Sequence, residues 1–193
     1  MATDRRRAIL EGAARVIARR GVRGLRMEEL AAESGVSTAL IYYHFKDRAG
    51  TLRHTLEFIS DRAERYTSGV DDTAEPHDAR QELEQSLLLE FQDAPEVREN
   101  STAWGELRAS AIFEPELRSD LARATLAWIY EIAALLGHIE PTAAAPALTA
   151  SAERLTGLLE GLSTRWLSGA LPLPHARELV SEAVSIEIQR LSR

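Results

Sequence analysis

The sequence predicts an all-α protein in two parts. A three-helix, helix-turn-helix head occupies residues 1–46, and a larger helical body occupies 47–193. Three observations carry this expectation. Apolar residues recur at intervals of three and four along the chain, and no run alternates with period two. Gly and Pro punctuate these stripes at intervals of helix length. The stretch Met27–Phe45 reads as two short helices joined by a tight turn.

The first helix is expected from a cap at Thr3 or Asp4 to about Arg20. Ile9, Ala13, Val16 and Ile17 form one buried stripe at helical spacing. Arg5, Arg6 and Arg7 precede the stripe; they either reach a phosphate or a minor groove, or stand as a solvated tail. Gly21 and Gly24 then turn the chain. In the second helix Met27, Leu30 and Ala31 sit at i, i+3 and i+4. Gly35 follows where a helix end favours φ > 0, and Ser37 is a good N-cap for a third helix. That helix buries Ile41 and Phe45, four apart. Its remaining face carries hydroxyls and aromatic rings, the composition of a helix that reads a DNA major groove.

The wording is more specific than a generic helix-turn-helix. Leu30-Ala31, Ser34-Gly35-Val36-Ser37, Ile41-Tyr42, His44-Phe45, Arg48 and Leu52 resemble the tetracycline-repressor (TetR) family of bacterial regulators. The resemblance covers about the first quarter of the chain. It departs from the family at Leu25 and Arg26, where Thr or Ser often stands, and at Arg48, where Lys is usual. Arg keeps the charge and can hold phosphate. The resemblance implies a DNA-binding head, a ligand-binding and dimerising body, and a double-stranded DNA operator bound by a homodimer.

Roles on the reading helix follow from side-chain chemistry. Ser37, Thr38 and Tyr43 are placed to touch base edges and nearby phosphates, and Ala39 and Leu40 to touch thymine methyls. Tyr42, His44, Lys46 and Arg48 are expected to hold phosphates and set the register. The helix has no Arg, Asn or Gln for bidentate base contacts, so Arg26 is the candidate for a guanine contact.

Lys46-Asp47-Arg48 opens a fourth helix, with Asp47 as its N-cap. Gly50 in its first turn costs up to about 1 kcal/mol relative to Ala, with no local reason in the sequence. The helix carries Leu52, Leu56, Phe58, Ile59 and Tyr66 and has no breaker before Gly69. Residues 69–78 read as a polar loop with a Pro. Beyond it, residues 79–92 carry Leu83, Leu87, Leu88 and Phe91, and Pro95 restarts a helix containing Trp104, Leu107 and Ala111. Pro115 fits the first turn of the next helix, which continues through Leu117, Leu121, Trp128 and Ile132 and stops at Gly137. Residues 141–147 read as a loop, followed by a helix over about 148–168. Gly169 and Pro172 end it, and Pro174 opens the last helix.

The last two helices carry more apolar surface than one core needs. Gly157, Gly161, Thr164 and Ser168 form a second stripe of small residues. With Val180 and Val184 of the last helix, the stripe is read as a dimer seam, two helices from each subunit making a four-helix bundle. Tight packing within one chain is the alternative. Residues 101–121 and 155–169 also resemble the regulatory half of a TetR branch typified by choline-responsive repressors. For a small-molecule effector, Phe91, Trp104, Arg108 and Trp128 are the candidate lining residues; ordinary core packing is the alternative for the aromatics.

Composition narrows the remaining classes. The net charge of -7 is uneven: residues 1–53 hold 11 Lys and Arg against 6 Asp and Glu, and the rest of the chain is acidic. A basic head on an acidic body fits local phosphate contact. There is no Cys, so no disulfide or thiolate metal site is expected. The five histidines show no metal-ligand spacing, no nucleophile motif or phosphate-cradling loop is present, and no cofactor is expected. No stretch is apolar enough to span a membrane, and a cytoplasmic location is expected. Two other classes stay open: a helical carrier or enzyme with an incidental helix-turn-helix, which predicts no saturable DNA binding, and an architectural DNA binder, which predicts no preference for a palindrome.

Overall fold

The computed structural model describes residues 2–67 and 79–193. Among these residues there are helices and no strands. The order is α1 (Ala2–Arg20), α2 (Met27–Ser34), α3 (Thr38–Phe45), α4 (Arg48–Thr67), α5 (Ala79–Leu88), α6 (Pro95–Ser110), α7 (Arg118–Ile139), α8 (Ala145–Leu167) and α9 (Leu173–Leu191). Short 3-10 turns at Val22–Gly24 and Pro115–Leu117 precede α2 and α7. Residues 69–78, the expected polar loop with Pro76 within it, lie outside the described residues.

Packing divides the chain into two compact units. The first comprises residues 1–63 and 98–124; the second comprises 64–97 and 125–193. The expected division after residue 46 is therefore not where the contacts divide the chain, because α4 and the end of α6 share the head's core. Ile9, Val16 and Ile17 of α1 meet Leu30, Ile41 and Phe45 of the helix-turn-helix, Leu52, Leu56 and Ile59 of α4, and Ala103, Leu107 and Ala111 around α6. Two polar contacts reinforce this packing. Asn100 Nδ2 donates to the Ile59 carbonyl at 3.4 Å, and Arg62 Nη1 stands 3.0 Å from Glu99 Oε1.

Each turn in the head has a local cause. Gly21 ends α1 at φ +72°, and Arg19 and Arg20 in its last turn face the negative end of the helix dipole. Asp4 lies in the first turn of α1 rather than capping it, because the helix already runs from Ala2. Gly35 ends α2 at φ +63°; the Val36 N–H reaches back to the Ala31 carbonyl at 3.0 Å and closes a Schellman turn. Ser37 caps α3, its Oγ accepting from the Leu40 N–H at 3.3 Å.

The connection from α3 to α4 is tighter than the sequence showed. Lys46 has φ +68°, and the Asp47 N–H donates to the Phe45 carbonyl at 2.8 Å across it, a γ-turn. Asp47 caps α4 as expected, accepting from the Gly50 N–H at 2.6 Å. The reversal also brings the Phe45 carbonyl over the first turn of α4. A Cβ at position 50 would stand 2.1 Å from that oxygen. This explains Gly50: the close approach needs a residue without a side chain. Gly50→Ala should therefore lower the unfolding free energy by about 1–3 kcal/mol, although Ala is the better helix former by up to about 1 kcal/mol. Thermal unfolding checks this, and an alanine variant as stable as the parent would refute the account.

The second unit is built from α5, most of α7, α8 and α9. Its core joins Leu83, Leu87 and Phe91 to Ile129, Ile132 and Leu136, then to Leu155, Leu159 and Trp166, and to Val180, Val184 and Ile188. Gly137 does not stop α7, which runs on to Ile139, and α8 begins at Ala145 within the stretch expected as loop. Pro146 falls in the first turn of α8, where its missing N–H costs nothing. α5 is shorter than expected and ends at Leu88. Arg154 of α8 and the buried Glu187 of α9 are bidentate, at 2.8 and 2.6 Å. The Arg154 hydrogen bonds hold the Glu187 carboxyl below the ordinary range; burial opposes them, and the Ser151 hydroxyl helps.

Candidate nucleic-acid interface

The third helix sorts its side chains as its period predicts. Ile41 is 0% and Phe45 2% exposed, whereas Tyr42 is 47% and Tyr43 81% exposed. Neighbouring residues point about 100° apart, so once Ile41 fills the buried direction both tyrosines must face outward. Ser37, Ala39 and Lys46 are also exposed, and Thr38, Leu40 and His44 are half-buried. The Tyr43 and His44 rings meet edge to face, with centroids 5.2 Å apart. Arg26 is exposed at the position that caps α2 and makes no capping hydrogen bond.

Two ionic clamps hold α1 against α2 behind this face. Glu33 accepts from Arg15 Nε at 2.7 Å and from Arg19, and Glu29 pairs with Arg20. The Glu33 carboxyl is held below its ordinary range, first by the Arg15 hydrogen bond and then by that of Arg19. Gly12 lets the helices approach; a Cβ there would stand 2.3 Å from Ser34 Oγ. These arginines are therefore engaged with the protein's own carboxylates, although in the sequence they look the same as any phosphate-binding cation.

Arg48 differs from its expected role. Its Nη2 donates to the Val22 carbonyl at 2.8 Å, its Nε to the Leu25 carbonyl at 3.3 Å, and its Nη1 stands 3.0 Å from Glu114. With these bonds made, the guanidinium braces α4 to the turn before α2 and to the segment after α6, rather than reaching out to phosphate. The same turn meets α6 a second time, where the Val22 N–H donates to Glu106 Oε2 at 3.4 Å. Arg23 lies over the exposed Phe113 ring, 5.9 Å from its centroid.

The candidate effector residues fall in both units. In the first, Trp104 is half-buried, and the Arg108 guanidinium lies 5.4 Å from its ring centroid. Close by in sequence are the buried Asn100 Oδ1 and Ser101 Oγ, neither with a hydrogen-bond partner. In the second, Trp128 is half-buried against the core. Phe91 is corrected to a core residue: it is fully buried and packs on Trp166 at 5.9 Å between centroids. An open cleft of about 700 Å³ in this unit is lined by Leu88, Leu173, Pro174, Arg177, Glu178 and Ser181, none of them anticipated. Arg177 is anchored beside it, donating to the Leu88 and Phe91 carbonyls at 3.1 and 2.7 Å.

The seam candidates also divide. Gly157, Gly161 and Thr164 on α8 and Ser168 at its C-cap are all exposed, and a Cβ at either glycine would meet none of the described residues within 4 Å. Among the described residues, nothing packs closely on the two glycines of the stripe. Val180 and Val184 are corrected: both are 0% exposed and belong to the subunit's own core. The large apolar residues exposed on these two helices are Leu158 and Ile186.

Comparison with known proteins agrees with this geometry. Residues 9–54 match bacterial regulatory proteins of the TetR family, and residues 79–189 match the C-terminal domain of BetI-type transcriptional repressors. A TetR-family transcriptional regulator from Rhodococcus sp. is 43% identical, with 96% of this chain and 99% of that one covered and a TM-score of 0.88. A transcriptional regulator from Saccharomonospora viridis, solved in complex with choline, is 27% identical over 95% and 96% of the two chains, with a TM-score of 0.79. A TetR transcription regulator from Haloarcula marismortui shares the fold at 21% identity, with a TM-score of 0.78 over 95% and 98%. No curated protein sequence matches the chain. No helix among the described residues is long and apolar enough to cross a membrane. The basic head, the outward tyrosines of its third helix and the matches over both halves lead to one conclusion: the chain is a transcriptional regulator of the TetR family.

Proposed function

We propose that this regulator is a ligand-responsive repressor that binds a pseudo-palindromic operator as a homodimer. The observation that carries this reading is the third helix, which turns Tyr42 and Tyr43 outward while Ile41 and Phe45 anchor it. In this reading residues 1–46 contact DNA, and 47–193 sense the effector and dimerise. Ser37, Thr38, Ala39, Leu40 and Tyr43 meet base edges; Tyr42, His44 and Lys46 hold phosphates; and Arg26 contacts a guanine. The exposed stripe of Gly157, Gly161, Thr164 and Ser168, with Leu158 and Ile186, forms the seam between subunits.

Regulation is a population shift: the effector binds the conformation whose two reading helices are wrongly spaced. The bonds of Arg48 to Glu114 and of Val22 to Glu106 make the end of α6 a lever on the head beside α4. Trp104 and Arg108 in the first unit, and separately Trp128 in the second, are the candidate effector contacts, and choline, held by the relative from Saccharomonospora viridis, is the first ligand to test.

Selection of bound fragments from genomic DNA tests this reading. The selected sites should contain inverted half-sites whose centres lie about 34–36 Å apart, or a small multiple of that. Affinity should fall steeply with salt as phosphate contacts release counterions. Salt-insensitive binding, or equal affinity for random duplex, would sink the reading.

A further inference from the structure

His54 stands between two partners that one nitrogen cannot serve together. Arg6 Nη2 lies 3.1 Å from its Nδ1, and Glu57 Oε2 lies 2.8 Å from the same atom. An imidazole nitrogen has one in-plane bonding direction: bare it accepts, and protonated it donates. Arg6 only donates and the Glu57 carboxylate only accepts. Neutral imidazole with a bare Nδ1 therefore holds Arg6. Imidazolium carries protons on both nitrogens, so it turns to Glu57 and repels the guanidinium.

The surroundings give this exchange a place in the head. The Arg6 guanidinium lies 5.4 Å from the centroid of the Phe45 ring, and the His54 ring is 5.6 Å from the same centroid. Phe45 is the last residue of the reading helix, so α1, α3 and α4 together build the seat of Arg6. The groups that contact His54 are Arg6 from α1, the Phe45 ring from α3 and Glu57 from α4 itself; in sequence, Arg5 and Arg7 flank Arg6, His44 adjoins Phe45 and Arg53 adjoins His54. Arg7 is paired with Glu11 at 2.9 Å. Among the described residues, Glu57 is the carboxylate that contacts the imidazole and Arg6 the cation.

We propose that His54 is the positioning residue for Arg6 in DNA binding: neutral, it seats the guanidinium over Phe45, and protonated, it turns to Glu57 and releases Arg6 to the phosphate backbone. The proposal rests on the DNA-binding reading above. It also gives one of the three N-terminal arginines a fixed place in the folded head and a trigger for leaving it.

The test uses the full chain and a mixed-sequence duplex, because phosphate contacts do not depend on sequence. Affinity is measured against salt at about pH 8 and about pH 5.5, on either side of the range in which histidine titrates. The native protein should show a salt slope steeper by about 1 per subunit at the acid pH, with binding about threefold tighter per subunit at low salt. His54→Gln can accept from Arg6 but cannot switch, so in a His44→Gln background, which removes the other histidine assigned to phosphate, its slope should be the same at both values. Arg6→Gln in that background should lose the change as well, and His44→Gln alone should keep it. A change in slope surviving in His54→Gln or in Arg6→Gln on that background overturns the proposal.

Nitrogen NMR of the native protein without DNA supplies a second readout. His54 Nδ1 should be bare at the alkaline pH and protonated at the acid pH; a proton on Nδ1 at both values overturns the switch. Native protein that binds no duplex at either pH overturns the DNA-binding reading and this proposal with it. The nitrogen resonance then reports separately whether the exchange of partners occurs.

Discussion

Ile41→Ala should destabilise the head by about 2–5 kcal/mol, whereas Tyr43→Ala should leave unfolding almost unmoved and weaken DNA binding by about 1–3 kcal/mol. The two residues are two positions apart on one helix, but their environments are opposite. Ile41 is fully enclosed by the first unit's core, so truncation removes buried apolar contact and leaves a cavity. Tyr43 projects into solvent, and its ring meets that of His44 edge to face. Its loss should relax sequence preference at one position in each half-site. Tyr42→Ala should weaken all sequences more evenly, because phosphate contacts carry little sequence information. Thermal unfolding and binding to selected and scrambled duplexes separate these outcomes. If Tyr43→Ala unfolds the head while the folded remainder keeps its operator preference, the assignment of the DNA-facing side is wrong.

Gly161→Arg should convert a dimer into a monomer without harming the fold of the subunit. The position is exposed on α8, and a Cβ there meets nothing within 4 Å. Replacing a mid-helix glycine by arginine should favour the isolated helix by about 0.5–1 kcal/mol. Any loss of association therefore cannot be attributed to unfolding of the monomer. In the seam, the side chain would force apart helices that small residues bring together and would leave a charge without water. Sedimentation should show a monomer with an unchanged or raised unfolding temperature, and operator affinity should fall because one head binds alone. A variant that remains fully dimeric places the seam elsewhere. The same substitution at Val184 would be uninformative, because that side chain is internal to the subunit.

Much of the head was legible in the sequence because its signals are local. Gly35 at φ +63°, Ser37 as the cap of α3 and Asp47 as the cap of α4 are decided by a few neighbouring backbone atoms. The split of Ile41 and Phe45 from Tyr42 and Tyr43 follows from helical period alone. The long-range contacts were not legible. Arg48 read as a cation available to phosphate, but Glu114, distant in sequence, engages it, as Glu33 engages Arg15 and Arg19. Phe91, Val180 and Val184 read as candidate contacts, yet which apolar stripe faces inward depends on how α5, α8 and α9 pack.

Periodicity, capping and composition by themselves determined an all-α chain, its helix-turn-helix, the outward face of the reading helix and the basic head on an acidic body. The charge split is a matter of composition, and the other properties depend on residues within about one helical turn of each other. Tertiary structure alone decided that Gly50 clears the Phe45 carbonyl, that Arg48 braces the head from inside, and that Arg6 and Glu57 compete for His54. Each of these brings together atoms from separate helices or across a reversal, and the distance between them is set by packing rather than by local residue preference.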